Sequence, residues 1–158
     1  MFNVGDKVVY PMHGAGVIEA IEEKEILGKK SKYYIMRMPI GNMKVMVPMD
    51  NVQDVGLRRV VGNKDISKVM DILSNGGSEM SSNWNRRYKK NLEKIKSGNI
   101  FEVAEVVTNL MAREKEKGLS TGERKMLENA RRILTSEIVL SQGKEEEQVE
   151  SMLEAVFA

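Results

Sequence analysis

The residues best suited to chemistry with a partner stand between positions 84 and 90, in "WNRRYKK": the only tryptophan of the chain, Trp84, followed by Arg86, Arg87, Lys89 and Lys90. An indole offers a flat apolar face and the cations offer charge, which together suit a polyanion whose bases stack and whose backbone carries phosphates. Between Trp84 and Lys96 six cations (Arg86, Arg87, Lys89, Lys90, Lys94, Lys96) face one anion, Glu93, whereas positions 144–158 carry five glutamates against one lysine. The net charge is only +2, from 25 basic and 23 acidic residues, so affinity for nucleic acid has to come from distribution and not from the total. One basic working face and an acidic remainder are expected.

Catalytic chemistry is not legible. The single histidine, His13, lies in the turn-like "PMHGAG", where a surface or hydrogen-bonding role is the ordinary one. No nucleophile–base pair, opposed carboxylates or metal-ligand cluster can be assembled, and "HGAG" signals a hairpin and not a phosphate cradle. The expectation is a protein that is not an enzyme and needs no cofactor. The chain lacks cysteine, which agrees with a reducing compartment. No apolar run nears the ~20 residues of a membrane span, and the start "MFNVGDKVVYPMHG" lacks a signal peptide's layout. A cytoplasmic protein without membrane contact is expected, and a monomer, since no heptad seam stands out.

The elements that must position these residues change period part-way along the 158 residues. Up to about Val55, "DKVVY", "GVIEAIEEKEI", "KYYIMRM" and "MKVMVP" read as short strands punctuated by glycine and by all three prolines. A small curled barrel suits so short a sheet, because curling hides most of its edges. Met36, Met38, Met43, Met46 and Met49 are mostly fillers of that core, and "GNMKVMVP" offers an edge for a partner strand. Beyond Gly62 the period is helical. Ile66, Val69, Met70 and Leu73 share one face, and Ile100, Val103, Ala104, Val107, Leu110 and Met111 share another. Ser120 and Glu123 have capping-box spacing ahead of a helix through Met126, Leu127, Ala130, Ile133, Leu134, Ile138 and Val139. An acidic start opens the last helix, "EEEQVESMLEAVFA". The fold class expected is α+β, all-β then all-α: a Tudor/SH3-like barrel at 1–60 and about five helices at 61–158.

Trp84 itself reads two ways. On a helix from 84 to 96, Trp84, Tyr88, Leu92 and Ile95 fall within an arc of roughly 80°, an apolar stripe that packs as core. If Ser82 or Asn83 caps that helix, however, Trp84 sits in its first turn, where the side chain overhangs the helix end beside free backbone N–H groups and cations.

Three stretches carry a resemblance: "VGDKVVYPMHGAGVIEAIE", "NWNRRYKKNLEKIKSG" and "VAEVVTNLMAREKEKGLSTGERKMLENARRIL". In that order, and over nearly the whole chain, they resemble the CarD/CdnL family of bacterial transcription regulators. The first stretch alone is also similar to the polymerase-binding module of transcription-repair coupling factors.

The resemblance implies a Tudor-like domain that binds the β subunit of bacterial RNA polymerase and a helical domain held over promoter DNA at the upstream edge of the transcription bubble. It implies that Trp84 is a minor-groove wedge there, stabilising the open complex, and that Arg86 and Lys89 contact DNA; Arg87 and Lys90 are added from charge alone. Lys24 and Met46 fall on the family's polymerase-facing positions. Met46 is a departure, since relatives carry arginine at that place. The rival reading is a protein–protein adaptor without DNA contact, in which Trp84 is core.

Overall fold

Alternating apolar residues and tight turns build a five-stranded antiparallel sheet in the first third of the protein. The computed structural model describes residues 1–157. Its strands are β1 (Lys7–Tyr10), β2 (Gly14–Ile26), β3 (Lys29–Arg37), β4 (Lys44–Pro48) and β5 (Arg58–Arg59), in the order β4-β3-β2-β1-β5. The sheet is therefore open, with β4 and β5 as its edges. One face carries Val8, Ile18, Tyr34, Met36 and Val47, and the segment after β4, including the one-turn helix α1 (Val52–Val55), folds back so that Leu57 joins them. Met36 and Met38 are buried in this core, whereas Met43 and Met46 stand in solvent. The sequence gives no sign of β5, a strand of two arginines that pairs with Val8 and Val9. Beyond the core, β2 and β3 continue as a two-stranded ribbon that turns at Leu27 and Gly28, both with positive φ.

The helical part comprises α2 (Asn63–Ser74), α3 (Trp84–Lys96), α4 (Ile100–Glu116), α5 (Thr121–Gln142) and α6 (Glu146–Phe157). The faces expected from periodicity are the buried ones: Ile66, Val69 and Leu73 from α2 and Val103, Ala104, Val107 and Leu110 from α4 pack with Leu127, Ile133, Leu134 and Ile138 of α5. The architecture is α+β, with a five-stranded antiparallel sheet followed by a helical bundle, the all-β then all-α order that the sequence indicated. None of the described helices is long and apolar enough to cross a membrane.

Helix α5 also crosses onto the sheet. Gly14 approaches it so closely that a Cβ there would lie 2.9 Å from Ser136 Oγ, and its φ of +110° independently requires glycine. The adjacent Ala15 N–H donates to Ser136 Oγ at 2.9 Å in a buried bond. Glu137, 1% exposed, accepts two bonds from the Arg58 guanidinium (2.7 and 2.8 Å) and one from the Val61 N–H (2.9 Å). Arg58 Nε donates to the Gly98 carbonyl between α3 and α4, and Ser141 Oγ donates to the Val61 carbonyl. The turn "PMHGAG" is thus both the β1–β2 connection and the surface on which α5 docks. His13 at its apex is exposed, its ring 4.3 Å from that of Tyr10.

Candidate functional site

Trp84 is the first residue of α3, and Asn83 is its cap: the Asn83 side chain accepts from the Arg86 N–H at 3.0 Å. With no preceding turn beneath it, the indole projects from the helix end and is 42% exposed. Its inner edge is held. Nε1 donates to Ser120 Oγ at 2.9 Å, and the ring stacks on Tyr88 with centroids 4.9 Å apart and planes 16° from parallel. Both rings lie over Gly122, where a Cβ would meet Trp84 at 3.6 Å and Tyr88 at 3.7 Å.

The cations divide. Arg86, Lys89 and Lys90 are exposed and have no ion-pair partner among the described residues, so their charge faces solvent. Arg87 does not join them. It is 3% exposed, and its guanidinium donates to Glu123 at 2.7 and 3.1 Å and to the carbonyls of Ser81 and Ser82. The inclusion of Arg87 among DNA contacts on charge alone is therefore corrected: its charge is neutralised inside the protein. Lys94 is likewise paired, with Glu105 at 2.9 Å. The buried line of α3 runs through Arg87, Asn91 and Ile95 instead of Trp84, Tyr88 and Leu92, a rotation of about 60° at about 100° per residue. That rotation brings Trp84 to the margin of the core.

Glu123 explains the rotation. Its spacing from Ser120 predicts a carboxylate reaching back to the Ser120 N–H; instead it turns to Arg87, while the Glu123 N–H still donates to Ser120 Oγ at 3.2 Å. Hydrogen bonds from Arg87 hold the Glu123 carboxyl below the usual carboxylate range, and the same bonds push the Arg87 guanidinium up. The loop before α3 is pinned by these bonds and by Asn109 Oδ1, which accepts from the Ser78 N–H at 2.8 Å. Trp84 thus hangs from an anchored loop.

On the sheet, Lys24 and Met46 point to the same face, opposite the core. Met46 pairs with Ile35 and Ile35 with Ala20, four residues before Lys24 on β2, so β3 separates the two positions. Met46 is 42% exposed on edge strand β4. Lys24 is half exposed beside Glu22, with the charges 3.2 Å apart.

Residues 2–61 match the family model of the CarD-like/TRCF RID domain, and residues 68–154 match that of the CarD C-terminal domain. The chain belongs to the CarD family. It is similar to the putative transcription factor YdeB of Bacillus subtilis (strain 168), 48% identical over 96% of this chain and 99% of that one. Among solved structures, the 72-residue N-terminal domain of Myxococcus xanthus CarD is 39% identical over 37% of this chain and 79% of that one, with a TM-score of 0.33. The CdnLNt structure from the same organism is 38% identical over 39% of this chain and 86% of that one, with a TM-score of 0.34.

Within this CarD-family chain, sequence reasoning missed Ser120, Gly122 and Glu123 as neighbours of Trp84. The capping-box spacing marked Ser120 and Glu123, but their second partners lie 36 residues upstream, beyond any local pattern. It also missed Arg58, Ser136 and Glu137, which join the sheet to the bundle across separations of 79 to 121 residues.

Proposed function

We propose that this CarD-family protein is a non-enzymatic transcription regulator that binds the β subunit of bacterial RNA polymerase and stabilises the open promoter complex. In this reading residues 1–60 dock on polymerase and residues 61–158 engage promoter DNA at the upstream edge of the bubble. The observation that carries it is the posture of Trp84: an exposed indole at a helix N-terminus, with the unpaired cations Arg86, Lys89 and Lys90 on the same helix.

An apolar ring entering the minor groove unstacks a base step at a cost of a few kcal/mol. At the junction with already melted DNA that cost is smaller, so the wedge binds the open state better than the closed duplex, and this difference is what shifts the equilibrium. A differential of ~1–2 kcal/mol changes opening about tenfold. The cations hold the phosphates beside the ring. Three such contacts give a slope of about −3 in log K against log salt, a weak anchor by itself. Docking of the sheet half supplies the rest as effective concentration. Edge strand β4 has main-chain groups free for a partner strand, with Met46 and Lys24 on the face beside it. The extensive contact between α5 and the sheet fixes the distance between the two surfaces, so docking one aims the other.

The adaptor reading requires Trp84 in the core, and its 42% exposure weighs against it. The test is a promoter with 2-aminopurine at the upstream fork. Wild-type protein added to polymerase holoenzyme raises its fluorescence and Trp84→Ala does not, while both bind polymerase; an equal rise with both proteins refutes the wedge.

A further inference from the structure

The Ser120 hydroxyl is saturated. It accepts from Trp84 Nε1 at 2.9 Å and from the Glu123 N–H at 3.2 Å, and its own hydrogen points to Glu123 Oε1 at 3.3 Å. Glu123 in turn receives the Arg87 guanidinium, and Arg87 bonds the carbonyls of Ser81 and Ser82, just before Trp84. The bonds form a closed circuit from the indole through the first turn of α5 and back to the segment that carries the indole. Gly122 completes the seat: its missing side chain leaves the space over which the Trp84 and Tyr88 rings lie.

We propose that Ser120 and Gly122 are positioning residues for Trp84, fixing the ring in its exposed orientation before it meets DNA. This rests on the reading of Trp84 as a wedge and deepens it. A free indole samples several χ1 and χ2 wells, and ordering it on binding weakens the complex; a ring already held by Ser120 and stacked on Tyr88 avoids most of that loss. Ser120 touches no DNA in this scheme. It acts through Trp84.

The test must separate this role from the cap that Ser120 provides to α5. Glycine is nearly as good an N-cap as serine but has no acceptor for an indole, so Ser120→Gly removes the bond with little loss of helix stability. Ser120→Thr keeps the hydroxyl and serves as rescue. At Gly122, alanine makes only ordinary contacts with the two rings, whereas Gly122→Leu fills their space.

Two readouts are taken on the full chain. One is the fluorescence anisotropy of Trp84, the single tryptophan, in the free protein. The other is the lifetime of polymerase–promoter complexes at saturating protein. Ser120→Gly and Gly122→Leu lower the anisotropy and shorten the lifetime about fivefold, as for ordering one side chain. Ser120→Thr and Gly122→Ala behave as wild type. Wild-type lifetime in Ser120→Gly, with or without a change in anisotropy, overturns the proposal. If Trp84→Ala also leaves the lifetime unchanged, the wedge itself fails. If Trp84→Ala shortens it and Ser120→Gly does not, only the positioning role fails.

Discussion

Arg87 and Glu123 are each almost fully buried and meet at 2.7 Å. Removing either partner leaves the other as an uncompensated charge in the core, at a cost of about 3–5 kcal/mol. For a chain of this length 1 kcal/mol is worth roughly 3 °C, so Arg87→Met or Glu123→Leu alone lowers Tm by about 9–15 °C. The double variant Arg87→Met/Glu123→Leu removes both charges and fills similar volume, and it melts within about 5 °C of wild type. A cycle of four proteins melted by circular dichroism measures the coupling. The same double variant addresses DNA. If Arg87 is internal, its loss leaves the salt slope for binding a short duplex unchanged, whereas Lys89→Gln flattens it by about 0.9. Additive single-variant losses refute the buried pair, and a double variant with a slope flattened by about 0.9 returns Arg87 to the phosphates.

Three further outcomes follow from other groups. The Glu123 carboxyl, held below its ordinary value of 4.5 by Arg87, contributes stability above that pH and loses it as pH falls toward the depressed folded value; Glu123→Gln shows a shallower loss in acid melting curves, and an equally steep loss contradicts the assignment. Glu137→Gln weakens the bidentate bond from Arg58, costing about 1.5–3 kcal/mol in thermal melts and speeding hydrogen exchange at the Val61 and Ala15 amides; unchanged exchange refutes the account of the seam. Met46 has 42% of its surface left to bury, which at ~1.5–3 kcal/mol for a whole side chain is about 1 kcal/mol, so Met46→Ala binds polymerase about fivefold more weakly with unchanged Tm; unaltered affinity moves the docking surface elsewhere.

Local patterns in the sequence carried the fold because strands, turns and helix faces are local. Ile66, Val69 and Leu73 are buried where their spacing puts them, and Asn83 caps where its side chain suits. The faces of α3 were less legible. Trp84, Tyr88 and Leu92 make the natural apolar stripe, yet Arg87 and Asn91 lie deeper, because a buried charge with a partner displaces the apolar line and that partner stands on another helix. Arg87 and Lys90 look alike in the sequence, and only tertiary contacts distinguish them. The seam was invisible for the same reason: Glu137 resembles any other charged helix residue until Arg58 and the Val61 N–H are seen to converge on it. Strand β5 carries two arginines and no apolar signal, and its pairing with β1 alone reveals it.

The most direct test of the account is the lifetime of promoter complexes formed by bacterial RNA polymerase holoenzyme and challenged with competitor DNA, measured without this protein, with wild type and with Trp84→Ala. Wild type is expected to lengthen the lifetime about tenfold, the equivalent of ~1.4 kcal/mol, and Trp84→Ala to bind polymerase equally well without lengthening it. Lifetimes equally long with wild type and Trp84→Ala contradict the wedge, and wild-type protein that binds polymerase without lengthening the lifetime on any promoter contradicts the account as a whole.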